Sequence, residues 1–300
     1  MTQQTQKCGF IAVVGHPNAG KSTLINALVG EKVAITSKRA GTTRCRILGI
    51  AIHNNAQMIF IDTPGIFGST VDAQQTMERA MIGAAFEALD EADIALHLLD
   101  AKDKKSQAPI LEKLPQNRPT FLALNKVDAI QKAALLDISA GHNETYDYDA
   151  TFMISALKEK GLDGLMDTLA ASLPDGPWHY DEDEVTDMPM RLMAAEITRE
   201  QIFNRLHREL PYAALIETEK WENFDNGDVK IHQAIYVQRD SQKAIVLGKG
   251  GSQIKKIGEA ARKELEGMLE RRVHLKLHVK VCENWPDRPE SLEIMGLAQH

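Results

Sequence analysis

Residues 15–22 read Gly-His-Pro-Asn-Ala-Gly-Lys-Ser, a complete G-x-x-x-x-G-K-S pattern. An apolar run, Phe10–Val14, precedes it, and a helical pattern, Thr23–Val29, follows and closes at Gly30. A strand that turns through two glycines directly into a helix points to an α/β fold with the loop at a strand's C-terminal end. In such a loop the backbone N–H groups between Gly15 and Ser22 wrap a β-phosphate, and the helix N-terminus adds partial positive charge. Lys21 then bridges the β- and γ-phosphates, and the Ser22 hydroxyl ligates Mg²⁺. Nucleotide contacts are expected from Gly15, His16, Pro17, Asn18, Ala19, Gly20, Lys21, Ser22 and Thr23.

Strands are predicted at Phe10–Val14, Arg44–His53, Met58–Ile61, Ile94–Asp100, Thr120–Asn125 and Thr151–Ile154. Most are continuous apolar runs, the mark of strands buried on both faces of a parallel sheet, whereas Arg44–His53 alternates as an edge strand does. Helical patterns, including Gln75–Leu89 and Leu162–Leu173, lie between them. The fold class read from this order is a doubly wound, mostly parallel α/β sheet over residues 8–174. Pro174-Asp-Gly-Pro177 ends it, and 175–189 reads as an acidic linker: residues 174–189 hold six carboxylates and no Lys or Arg.

The remainder follows a different order: a helix from Pro189 to Leu210, strands Tyr212–Trp221 and Val229–Arg239, an apolar run at Ala244–Leu247, a Gly-rich turn, a helix Ser252–Leu269 and a strand Arg272–Val281. This makes residues 190–283 a second, α+β domain, with 284–300 as a C-terminal tail. The three hundred residues carry a net charge of −7, which argues against bulk affinity for nucleic acid. Residues 239–280 reverse that balance, with 11 basic and 5 acidic side chains. No apolar run approaches the ~20 residues of a membrane span. The three cysteines, Cys8, Cys45 and Cys282, are too scattered for a disulfide framework or a metal site, and ten histidines form no ligand cluster. A cytoplasmic monomer is the expectation.

Further chemistry lies at strand ends. Asp62-Thr63-Pro64-Gly65 ends the third predicted strand. Asp62 can hold Mg²⁺ through water, and the Gly65 N–H can face a γ-phosphate; Ile66 follows. Asn125-Lys126-Val127-Asp128 ends the fifth strand, where the Asp128 carboxylate can accept from guanine N1–H and N2–H₂. Adenine offers neither pair of donors, so GTP is selected over ATP. Ser155-Ala156-Leu157 follows the sixth strand, and Ser155-Ala156 would pack on the base and donate to its O6. Thr42 or Thr43 could close on Mg²⁺ when a γ-phosphate is bound, an ordered/disordered switch. Mg²⁺ ligands are thus Ser22, Asp62 and one of Thr42 and Thr43; Lys21, Gly65 and that threonine act on the γ-phosphate. In the second domain, Gly248-Lys249-Gly250-Gly251 sits between the Ala244–Leu247 run, read as a strand, and a helix, with Gln253, Lys255 and Lys256 beyond. A G-x-x-G turn admits a nucleic-acid backbone, and the flanking elements clamp about four single-stranded nucleotides.

Taken together, the phosphate loop with Pro17-Asn18, the triplet Thr42-Thr43-Arg44 and Asp62-Thr-Pro-Gly65 resemble the Era branch of the translation-factor-like GTPases. The second domain resembles the type II KH module that follows the GTPase domain in that family, so the similarity spans nearly the whole chain. The resemblance implies GTP hydrolysis, binding near the 3′ end of 16S ribosomal RNA, and a role in maturation of the 30S ribosomal subunit. It also implies peripheral association with the inner membrane. Ile66 stands where Ras-like enzymes carry a water-orienting glutamine, and the family's hydrophobic substitution there implies slow intrinsic turnover. The family further points to Asn18 as a ligand for K⁺ against the phosphates; the alternative is a loop residue capping its own turn. Rival readings are a GTPase of another class, in tRNA modification or membrane transport, and a non-hydrolysing guanine-nucleotide switch with a protein-binding second domain.

Overall fold

The computed structural model describes residues 5–37, 39, 41–63, 76–103, 105–206 and 210–297. They fall into two compact units, one within residues 1–73 and 81–187, the other within 74–80 and 188–300.

The first unit contains β1 (Lys7–Val14), α1 (Lys21–Val29), β2 (Ile47–His53), β3 (Ala56–Asp62), α2 (Thr76–Glu91) from residue 81 onward, β4 (Ile94–Asp100), α3 (Ala108–Leu111), β5 (Thr120–Asn125), α4 (Lys132–Thr145), β6 (Ala150–Met153) and α5 (Leu162–Ser172). Its sheet has the order β2-β3-β1-β4-β5-β6, with β2 antiparallel to β3 and the other pairings parallel. This is the doubly wound sheet expected from the sequence. Leu24, Ile25 and Leu28 of α1 pack on one face with Val13, Phe60 and Leu96. Ala12, Leu99, Leu122 and Leu124 form the other face with Ile110. The bounds of β4 and β5 coincide with the predicted runs, because a strand covered on both faces stays apolar to its ends.

Alternation from Arg44 predicts a strand start there, but β2 begins at Ile47. The residues before it, Thr42 to Cys45, are buried in the approach to the sheet, and the Thr43 hydroxyl donates to Asp62. β2 is at the sheet edge, as its alternation indicates, yet five of its seven residues are buried. The acidic segment explains this. Residues 174–185 run as a strap along the first unit. Cys8 N–H donates to Pro174 O (3.2 Å), Gly176 N–H to Gln6 O (3.0 Å) and Ile50 N–H to Val185 O (2.9 Å). Trp178 and Tyr180 pack against Cys8, Leu48 and Ile59. Covering an open edge in this way removes a template for aggregation.

Gln57 of β3 fastens the strap. Its side chain is fully buried. Its Oε1 accepts from the backbone N–H groups of His179 (2.8 Å) and Tyr180 (3.0 Å), and its Nε2 donates to Tyr180 O (2.8 Å).

The second unit contains α6 (Met190–Arg205), β7 (Leu215–Asn223), β8 (Val229–Val237), α7 (Asp240–Leu247), α8 (Ser252–Leu269), β9 (Val273–Val281) and α9 (Pro289–Ile294). β8 pairs antiparallel with β7 and parallel with β9. Ile202, Ile216, Ile235, Val246, Ile257 and Val279 share its core. One element differs from the sequence reading. Ala244–Leu247, read as a strand, is the last turn of α7. Only Val246 of that helix is buried, so its apolar run reflects the C-terminal end of a short amphipathic helix, which four residues cannot distinguish from a strand. The tail is anchored: Trp285 is buried and its indole N–H donates to Ala213 O (3.0 Å).

Gln57→Leu keeps the side-chain bulk but removes the carboxamide oxygen that accepts from the His179 and Tyr180 N–H groups. Unfolding free energy is expected to fall by about 3 kcal/mol, and glutamyl endopeptidase should cut faster after Glu182 and Glu184. An unchanged denaturation midpoint with unchanged cleavage would contradict the clamp.

Candidate nucleotide site and nucleic-acid interface

The phosphate loop joins β1 to α1 at the C-terminal edge of the sheet. Two of its glycines are dictated by close approach. A Cβ on Gly15 would lie 2.2 Å from Leu98 O, and one on Gly20 would lie 2.5 Å from Asn125 Nδ2. Gly20 also has φ +103° and Asn18 φ +68°, a winding that turns successive N–H groups inward as an anion cradle.

Lys21 is almost fully buried, and its Nζ donates to Gly15 O (3.0 Å) and His16 O (3.3 Å). Asp62, at the end of β3, is completely buried. Its Oδ2 accepts from Ser22 Oγ (2.6 Å) and Thr43 Oγ1 (3.1 Å), and the two hydroxyls are 3.0 Å apart. Its Oδ1 has no partner. Burial pushes the Asp62 carboxyl up and the Lys21 ammonium down, and each charge partly offsets the other's shift. A buried carboxylate with one uncommitted oxygen, beside two hydroxyl oxygens, is a hard all-oxygen donor set that fits Mg²⁺. Of the two candidate threonines, Thr43 joins this cluster; Thr42 Oγ1 donates instead to Arg39 O (3.0 Å). Thr63 Oγ1 donates to Val13 O (3.0 Å), which ties the start of the following loop to β1. Pro64, Gly65 and Ile66 lie outside the described residues.

The base-reading loops interlock. Asn125, at the end of β5, donates through Nδ2 to Ala19 O (2.8 Å), while its Oδ1 accepts from Lys126 N–H (2.8 Å) and Ala156 N–H (3.0 Å). One amide thereby fixes the phosphate loop and both loops after β5 and β6. Lys126 Nζ donates to Asn18 O (2.6 Å) and Asp100 Oδ2 (2.7 Å). Asp128 is exposed, and Ser155 Oγ donates to its Oδ1 (2.6 Å), which holds the carboxyl below the usual carboxylate range. The Ser155 hydroxyl and Ala156 N–H, read from the sequence as donors toward the base, here donate to Asp128 and Asn125. Leu157 beside them is 75% exposed. Val127 is half-buried against Leu124 and Tyr148. His16 Nε2 bonds to Ser106 O (3.1 Å). Asp100 is a partner in this network that the motifs do not mark; its position as the last residue of β4, level with Asn125 in the sheet register, is the available signal.

In the second unit the Gly-rich turn joins two helices, α7 and α8. Gly248 has φ +72°, and a Cβ there would lie 2.6 Å from Gln253 Cβ. Lys249, Gly250, Lys255 and Lys256 are exposed, with Gly251 partly so. Gln253 faces the fold instead: its Nε2 donates to Arg205 O (3.4 Å). Beyond the turn, α8 and β9 flank an open cleft.

A family model described as 50S ribosome-binding GTPase matches residues 10–126, and a KH domain model matches residues 209–286. A GTPase Era of Sinorhizobium medicae is 52% identical over 97% of this chain and 94% of that protein. The chain belongs to the Era family of GTPases. Another Era GTPase, of Agrobacterium fabrum, is 50% identical over 97% of this chain and 92% of its own length. The chain also resembles, at TM-score 0.92 and 38% identity, a crystal structure of Era in complex with MgGDPNP and nucleotides 1506–1542 of 16S ribosomal RNA, covering 98% of this chain and all of that one. The same values hold for a single-residue variant of Aquifex aeolicus Era bound to GDP·AlF₄⁻. The Era assignment accounts for both units, a phosphate-loop GTPase fold and a type II KH fold, and excludes the rival GTPase classes. No helix among the described residues is long and apolar enough to cross a membrane.

Asp128→Asn replaces an acceptor-only group with one that also donates. GTP affinity is expected to fall about tenfold to a hundredfold, with preference moving toward xanthosine triphosphate, whose C2 carbonyl accepts where guanine donates. Competition binding of the two nucleotides measures this, and unchanged GTP affinity would remove Asp128 from base recognition.

Proposed function

We propose that this chain hydrolyses GTP with Mg²⁺ and uses its KH unit to hold 16S ribosomal RNA near the 3′ end while the 30S subunit matures. The observation that carries the enzymatic half is the meeting of Ser22, Thr43 and Asp62 around one uncommitted, buried carboxylate oxygen. The RNA half is supported by the Gly248–Gly251 turn, exposed at Lys249 and Gly250, with Lys255 and Lys256, and by the RNA-bound Era relative.

In this reading the loop N–H groups and Lys21 bind the phosphates, with the Lys21 ammonium already desolvated and held next to the loop by two carbonyls. Ser22 and Thr43 would ligate Mg²⁺ directly and Asp62 through water. Held there, the ion would supply charge neutralisation at the phosphate oxygens. Asp128, held by Ser155, reads the guanine edge. Thr43 senses the γ-phosphate, because its hydroxyl shares Asp62 with Ser22. Ile66 cannot orient a water molecule, so turnover is slow. Asn18, in a left-handed conformation within the phosphate loop, would hold K⁺, which would supply part of the missing charge stabilisation. Ile66 also favours a second reading, a switch that binds GTP without hydrolysing it.

Single-turnover GTP hydrolysis in K⁺ and in Na⁺, with and without 16S RNA 3′-end fragments, separates these readings. Slow hydrolysis that accelerates in K⁺ is the expected outcome. Equal turnover in the two cations would remove Asn18 as a ligand, and no turnover in any condition would leave the non-hydrolysing switch.

A further inference from the structure

Helix α8 and strand β9 flank an open cleft of about 330 Å³ that begins one helical turn after Gly251. Its floor is apolar, made by Ile254, Leu275 and Leu277, with Gly258 between them. Gly258 adds no side chain to this floor; a Cβ there would sit 3.4 Å from Leu277 Cδ1 and occupy part of the cleft. Three charged residues complete the lining: Lys255, Glu259 and Arg262.

The two cations suit a phosphate backbone; the carboxylate does not. A polyanion repels Glu259, so an acid at this place weakens binding unless it gains a donor from the ligand. Its ion pair with Lys255 spans 3.9 Å between side chains that are 57% and 77% exposed, too long for a hydrogen bond. A phosphate that draws Lys255 away would leave Glu259 facing the cleft as an acceptor. The donors a base can bring there are its exocyclic amine and ring N–H groups. Adenine N6 and cytosine N4 each present an amine at the base edge, whereas uracil flanks its single N–H with two carbonyl oxygens that repel a carboxylate.

We infer that Glu259 is a specificity-determining residue of the KH unit: it accepts a hydrogen bond from the exocyclic amine of a base seated in the α8–β9 cleft, and rejects uracil there. The inference rests on the RNA-binding reading of this unit. Lys255 and Arg262 contribute affinity without regard to base, and Glu259 contributes discrimination.

The test is a double-mutant cycle on the full chain. One RNA is a short labelled single strand of alternating adenosine and cytidine. The other carries purine riboside and 2-pyrimidinone riboside in their places, which deletes only the exocyclic amines. Amine deletion is expected to weaken binding to the unsubstituted protein about tenfold, and binding to Glu259→Ala by less than about twofold, the difference being the coupling between carboxylate and amine. Equal losses in both proteins, or no loss in the unsubstituted protein, overturn the inference. An affinity gain in Glu259→Ala that is the same for both RNAs also overturns it, since that is charge repulsion alone. Gly248→Asp with Gly251→Asp reports separately on the underlying reading: if the amine-bearing RNA still binds that variant as well, the KH unit is not the RNA site, whatever the cycle shows.

Discussion

The carboxylate of Asp62 is the constraint around which the first unit is arranged. It has no exposed surface, and one of its oxygens is uncommitted. Burying a charge is expensive unless it is paired and hydrogen-bonded. Here the compensation comes from two places apart in sequence: the adjacent Lys21 ammonium and Ser22 hydroxyl at the start of α1, and Thr43 in the approach to β2. The same bonds that make the carboxylate tolerable bring three oxygens of different elements to one point. The site is therefore a by-product of satisfying a buried charge, and its remaining deficit is what a dication would fill.

Asn125 plays the complementary part on the other side of the loop. Its amide uses both ends, donating to Ala19 O and accepting from Lys126 and Ala156 N–H. Three loops that carry base and phosphate chemistry are thereby held by one side chain, with Lys126 and Asp100 adding a second tie. Rigid placement matters for recognition because a guanine edge and a triphosphate are read at the same time, and loosening any loop misplaces the others. The strap over 174–185 serves the β2 edge of the sheet, where Val185 O accepts from Ile50 N–H, and Gln57 of the neighbouring β3 holds the strap's backbone at His179 and Tyr180.

Much of this was legible in the sequence, for physical reasons that differ by element. The phosphate loop declares itself because Gly15 and Gly20 are required by contacts below 3 Å, so spacing and residue type are both fixed. β4, β5 and α8 were bounded correctly because uniform burial or strong amphipathicity leaves no doubt about their ends. α7 was not, since the four apolar letters at its end fit either period. The choice between Thr42 and Thr43 was also beyond the sequence: adjacent identical residues differ only in which way the backbone points them. Gln57 carries no signal as a structural hub, because a single polar letter in a strand gives no hint of its distant partners, and Asp100 carries only its place at the end of β4. Gln253, marked as an RNA contact by its neighbours, has a partner within the fold that its letter does not announce, Arg205 O.

The central claim is that Thr43, and not its neighbour, completes the Mg²⁺ site with Ser22 and Asp62. The Mg²⁺ concentration needed for half-maximal GTP hydrolysis, measured for Thr43→Ala and Thr42→Ala, tests it most directly. The account predicts an increase of about tenfold or more for Thr43→Ala and a change of less than about twofold for Thr42→Ala. The reverse order, or equal changes in the two variants, would contradict it.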